Sequence, residues 1–129
     1  MLLNLGLRER RWLRLLWVFS MLLVIVGSLL PGSSMPMRAL GQLDISDKLM
    51  HFAAYLVLAF LPALHERRPA LIAAFVGAIA LGIGLEFAQR LSPGRTFEIA
   101  DMAADAAGVL CGFVLALPLR SRIAPLHWK

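Results

Sequence analysis

Apolar residues gather into four long runs along this chain, and polar residues are pushed into the short stretches between them. The runs cover residues 12–30, 47–64, 70–89 and 97–117. Each is close to the roughly 20 residues that a helix needs to cross the hydrocarbon core of a bilayer. Backbone polar groups must be satisfied inside the segment when lipid surrounds it, so every run is predicted to be a helix. Pro31-Gly32 follows the first run, Pro62 sits in the last turn of the second, and the fourth stops at Pro118. The longest connection, 31–46, holds Pro36 and Asp44 and reads as a loop too short for a second domain. The pattern predicts an all-α membrane protein, a four-helix transmembrane bundle forming one domain over residues 1–129.

Composition agrees. The chain is 60% hydrophobic and 16% charged, whereas soluble domains are nearer half apolar. A net charge of +5 raises the question of nucleic acid. The positive charges lie in short loops beside apolar spans and not on one polar face, which argues against a nucleic-acid partner. The lone cysteine, Cys111, lies inside an apolar run and says nothing about redox compartment. The basic front and apolar stretch of the first run also fit a signal peptide. The stretch is long and no A-x-A site follows it, so it is expected to stay attached.

The distribution of Lys and Arg sets an orientation. Arg8, Arg10, Arg11, Arg14, Arg67, Arg68, Arg120, Arg122 and Lys129 fall on one side, nine of the 13 basic residues. Arg38, Lys48, Arg90 and Arg95 fall on the other. The positive-inside rule then places both termini in the cytoplasm, with Trp12 and Trp128 near that interface.

The acids follow the opposite bias. Glu9 and Glu66 are on the cytoplasmic side, while Asp44, Asp47, Glu86, Glu98, Asp101 and Asp105 lie outside or in the outer part of a span. Acids contribute little to topology, so insertion does not explain this. Asp47, His51 and Tyr55 follow i, i+4, i+8 and line one side of the second span. Glu86 and Gln89 share a side of the third. Asp101, Asp105, Gly108 and Gly112 form a single stripe on the fourth. Small residues mark faces where helices approach closely, so both aspartates are expected to point at another helix and not at lipid. Ala73, Gly77, Ala80 and Gly84 offer a comparable face on the third span.

Asp105 lies roughly 12 Å below the outer end of its helix at the helical rise of 1.5 Å per residue. An ionised carboxylate at that depth costs several kcal/mol unless it is paired, hydrated or protonated. The expected outcome is a polar crevice among the second, third and fourth spans, open to the outside, with Lys48 and Arg95 at its mouth as counter-ions. For Asp47 and Glu98 a structural role is an equal reading, because the helix dipole favours acids at N-termini. His51 also fits as an interfacial histidine and Tyr55 as part of an aromatic belt. Glu86 is harder to explain away: it sits near a helix C-terminus, where the dipole disfavours an acid. Arg95 or His51 is its expected partner. No H-E-x-x-H, G-x-S-x-G or phosphate loop occurs, so no metal and no cofactor is expected.

Taken in order, Asp47-Lys48-x-x-His51-x-x-x-Tyr55, Glu86-x-x-Gln89, Arg95, and Asp101 with Gly108 and Gly112 beyond it form a pattern. It resembles the VanZ-like family of small multi-pass bacterial membrane proteins, one member of which raises tolerance to teicoplanin. The resemblance runs from the second span to the fourth, and the first fits through its Ser28-x-x-Pro31 exit. It implies the bacterial inner membrane and an envelope or antibiotic-related role without supplying a reaction. The position held here by Asp105 is usually asparagine in that family, and an acid there more readily takes a proton or cation.

Three functional readings follow. In the first, the site acts on or binds an envelope component, such as a lipid-linked cell-wall precursor or a lipoglycopeptide. Asp47, Lys48, Tyr55, Gln89 and Arg95 would then bind the ligand, and His51, Glu86, Asp101 and Asp105 would handle protons if chemistry occurs. In the second, the chain is a proton- or cation-coupled carrier, with Asp101 and Asp105 as coupling acids and a need to oligomerise. In the third, it is a scaffold whose polar cluster only fixes helix packing.

Overall fold

A computed structural model describes residues 5–43, 46–94 and 98–123. Asp44, Arg95, Trp128 and Lys129 fall outside the described residues. The chain folds into five α-helices: α1 (Leu7–Leu29), α2 (Met35–Gln42), α3 (Asp47–His65), α4 (Arg68–Gln89) and α5 (Ile99–Arg120). Four of them, all but α2, are long and apolar enough to cross a membrane. They correspond to the four expected spans.

Several boundaries move. The first span begins at Leu7 and not at residue 12, and the fourth continues to Arg120 with Pro118 inside it. A proline so close to the C-terminus spoils only the last turn, which Ser121 supports by donating from Oγ to the Pro118 carbonyl at 2.8 Å. The stretch expected to be a loop contains α2. Pro36 stands in its first turn, where a missing N–H costs nothing, and Ser34 accepts from the Arg38 N–H.

Successive long helices alternate in direction, which gives the bundle a basic end and an acidic end. At the basic end, Arg10 and Arg120 donate to the carbonyls of His65 and Ala63, at 3.0 and 2.6 Å. These arginines satisfy carbonyls that the last turn of α3 leaves without helical partners. Arg14 grips Glu66 with two hydrogen bonds, 2.6 and 3.1 Å. Burial pushes the Glu66 carboxyl up, but the Arg14 bonds and the neighbouring positive charges outweigh it and hold the group below its ordinary value.

The tightest packing is between α3 and α5. A Cβ at Gly108 would run into the Phe52 carbonyl oxygen, and one at Gly112 into that of Leu56. The two backbones therefore touch directly, as small-xxx-small faces allow. The buried stripe of α5 is Asp101, Asp105, Gly108, Val109, Gly112 and Ala116, which agrees with the expectation from spacing. The corresponding expectation for α4 is corrected. Ala73, Gly77, Ala80 and Gly84 are all exposed, and the buried side is Leu71, Ala78, Gly82, Leu85, Glu86 and Gln89. The α4 segment is apolar all round, so small residues alone do not identify its packed side.

No residue of α1 is buried. It is attached by specific bonds: Trp17 Nε1 donates to the Leu58 carbonyl at 2.9 Å, and Gln89 Nε2 to that of Ser28 at 3.1 Å. A broad apolar surface including Leu22, Val26, Ile72, Val76, Leu110 and Val114 is exposed, as suits helices solvated by lipid.

Candidate functional site

Three acids deep in the acidic end are almost fully buried: Glu86 at 1%, Asp101 at 2% and Asp105 at 4% exposure. They come from two helices, α4 and α5, and His51 of α3 stands among them. Its Nδ1 lies 2.8 Å from Asp105 Oδ1. Its Nε2 lies 3.8 Å from Glu86 Oε1 and 3.9 Å from Asp101 Oδ2. All four residues expected to carry the chemistry are therefore in one group.

In the tautomer that carries its proton on Nδ1, the imidazole donates to Asp105 Oδ1 and presents the Nε2 lone pair toward Glu86 and Asp101. Neither of those distances is a hydrogen bond. Among the described residues, Glu86 Oε1 and Asp101 Oδ1 are buried without a hydrogen-bond partner. The other Glu86 oxygen is 3.4 Å from the Glu98 backbone N–H.

Gly82 makes the room for this group, although its position in the sequence pointed to no such role. A Cβ there would lie 2.9 Å from Asp105 Oδ2 and 3.3 Å from the Tyr55 ring. Tyr55 is buried at 2% exposure and packs in the adjoining apolar cluster with Leu58, Ala59, Ala78 and Val109. Asp47 and Lys48 lie exposed at the rim. Lys48 Nζ is 2.6 Å from Glu98 Oε2 and 3.5 Å from Asp101 Oδ1. Gln89 is engaged with Ser28 of α1, and Arg95 is not among the described residues.

The open space next to the group differs from the expected crevice among the second, third and fourth spans. A cavity of about 230 Å³ lies between α1, α2 and α3. Leu23, Val24, Met37, Leu40 and Met50 make its apolar wall, and Asp47, His51 and Tyr55 its polar edge. The reason is the glycine face of α5, which closes α3 against it and leaves no gap. The small Gly27 and Ser28 near the end of α1, with α2 beyond them, leave the gap on the opposite side of His51. Thus His51 has the carboxylates on one side and the cavity on the other, with 13% of its side chain exposed.

A second buried histidine, His65, lies at the basic end and was not singled out by spacing. Its Nδ1 is 2.7 Å from the Leu61 carbonyl and its Nε2 is 3.1 Å from Glu66 Oε1. Its adjacency to Glu66, opposite the arginines of the N-terminal segment, was the available signal.

Residues 15–120 match the family described as VanZ/LLP1. Neither a curated protein nor a solved structure matches the chain.

Proposed function

The chain belongs to the VanZ/LLP1 family, and from that premise we propose that it is a multi-pass protein of the bacterial inner membrane that binds an amphiphilic component of the cell envelope. The ligand class is a lipid-linked cell-wall precursor or an amphiphilic antibiotic of the lipoglycopeptide kind. Its polar part meets His51 and Asp47, on the outer side of the membrane, and an apolar segment enters the cavity between α1, α2 and α3.

The cavity carries this reading, because its apolar wall ends at an ionisable edge. At about 230 Å³ it is smaller than the roughly 300–1,000 Å³ of pockets that enclose a whole small molecule. It suits one segment of a chain, with the remainder in lipid. The charge balance refines the polar part. Among the described residues of the site, Asp47, Glu86, Glu98, Asp101 and Asp105 outnumber Lys48 and His51, and Lys48 is already paired with Glu98. An amine or hydroxyl group of the ligand fits that surplus of acceptors better than a bare phosphate does.

A deletion strain challenged with cell-wall and membrane-active drugs tests the reading. Complementation with Ala54→Trp, which fills the cavity, and with His51→Gln is expected to fail although both proteins insert. Full complementation by both variants would overturn the proposal.

A further inference from the structure

The arrangement around His51 is unusual in being half finished. Asp105 fixes one ring nitrogen at hydrogen-bond distance, while the other faces two carboxylates that stand too far away to bond to it. Burying a polar atom without a hydrogen bond is costly, and among the described residues Glu86 Oε1 and Asp101 Oδ1 are buried with none, Asp101 Oδ1 having the Lys48 ammonium 3.5 Å away. One donor atom from each of Asp47, His51 and Asp101 lies within 4.8 Å of the other two. We propose that these residues bind a single divalent transition-metal ion, Zn²⁺ or Mn²⁺, through His51 Nε2 and the carboxylates of Asp47 and Asp101, with Glu86 Oε1 within reach as a further ligand.

The spacing supports an ion in the gap. Two ligands at about 2.1 Å from a tetrahedral ion are about 3.4 Å apart. The observed 3.8 and 3.9 Å from Nε2 to Glu86 and Asp101 need to close by a few tenths of an ångström, and Asp47, within 4.8 Å of the other two, by up to about 1.4 Å. The chemistry of the donors supports the choice of ion, since imidazole favours zinc-like metals and carboxylates favour manganese and harder ions. Asp105 supplies the outer-shell contact that metal-bound histidines require, a carboxylate on the remote ring nitrogen that fixes the tautomer and aims the lone pair. Lys48, 3.5 Å from Asp101 Oδ1, opposes the ion electrostatically and would shift toward Glu98 on binding. The inference rests on the reading of this end of the bundle as a ligand site, and it names the cationic partner that the surplus of acids favours.

The test is titration of the full chain, purified in detergent and stripped with a chelator, with Zn²⁺ or Mn²⁺ alone and with Mg²⁺ as a comparison. Saturable binding of one ion per chain is expected. Asp47→Asn, at the exposed rim, should weaken it at least about tenfold without lowering the melting temperature. Asp105→Asn should weaken it about 10–100-fold, the usual effect of an outer-shell change. Lys48→Met should strengthen it, which a purely structural role for the cluster would not produce. No saturable binding up to millimolar ion, or wild-type affinity in both Asp47→Asn and Asp101→Asn, would overturn the proposal. Failure of Ala54→Trp to complement, in a protein that binds no ion, would remove the metal and keep the amphiphile. Ion binding by a protein whose Ala54→Trp variant complements fully would do the reverse.

Discussion

His51 Nδ1 and Asp105 Oδ1 stand 2.8 Å apart and join α3 to α5 across 54 positions of sequence. The bond sits one helical turn from Gly108, where α5 touches the α3 backbone, so close packing and polar pairing fix the same register. Replacing Asp105 by alanine removes the acceptor and leaves the part-buried His51 ring N–H without this partner. A loss of about 1–3 kcal/mol in stability is expected from that group alone. Asp105→Asn keeps an acceptor oxygen and should cost less. Thermal unfolding in detergent checks the order, and equal melting of wild type and Asp105→Ala would show that the bond contributes nothing.

The glycines provide an internal control. Alanine at Gly108 or Gly112 forces a methyl group against the Phe52 or Leu56 carbonyl. Overpacking of this kind typically costs about 1–3 kcal/mol. Nothing lies within 4 Å of a Cβ built at Gly77 or Gly84, so alanine there should be neutral or slightly favourable through helix propensity. Melting temperatures of the four single variants decide the matter. If Gly77→Ala and Gly108→Ala fall together, the close contact is not what holds α3 to α5.

That contrast also marks where sequence reading succeeds. On α5, the acids and glycines recur on one face, and two different residue types point the same way. On α4 small residues occur on more than one face, and Gly82 and Ala78, on the face of Glu86, take the packed positions instead of Gly77 and Gly84. A helix solvated by lipid has no polar face to contrast with its packed one. The grouping of His51 with Glu86, Asp101 and Asp105 was legible because an ionisable residue at membrane depth must find company. The Asp47, His51 and Asp101 triad was not, since its members span two helices and show no local ligand spacing. The cavity was not legible either, because α2 read as loop and its place beside α1 depends on tertiary packing.

Glu66, bonded to Arg14 and beside His65, links stability to pH. Its folded carboxyl titrates below the ordinary value of 4.5. A lowered folded value means that the contribution is fully present above the unfolded value and is lost as pH falls through the folded one. Arg14 keeps 63% of its side chain exposed, so solvent screening limits the pair to at most about 1 kcal/mol. Arg14→Ala should lower the melting temperature at pH 7 and flatten its decline between pH 5 and pH 3. An unchanged decline in that variant would assign the acid sensitivity to other groups.

Orientation decides whether the ionisable group meets envelope components at all. Among the described residues, Arg8, Arg10, Arg11, Arg14, Arg67, Arg68, Arg120 and Arg122 lie at the end of the bundle that holds Glu66, against Arg38, Lys48 and Arg90 at the other, and such a bias is the determinant that insertion reads. The interlocked contacts at each end make the ends inseparable: Arg10 and Arg120 both bind the end of α3, whereas Gln89 and Ser92 both bind the end of α1. A reporter at one terminus therefore places the whole bundle. A green fluorescent protein fused to the C-terminus is expected to fluoresce, and alkaline phosphatase fused after Gln42 is expected to be active. The opposite pair of signals would put His51 and its carboxylates on the cytoplasmic side, where an envelope ligand arriving from outside does not reach them.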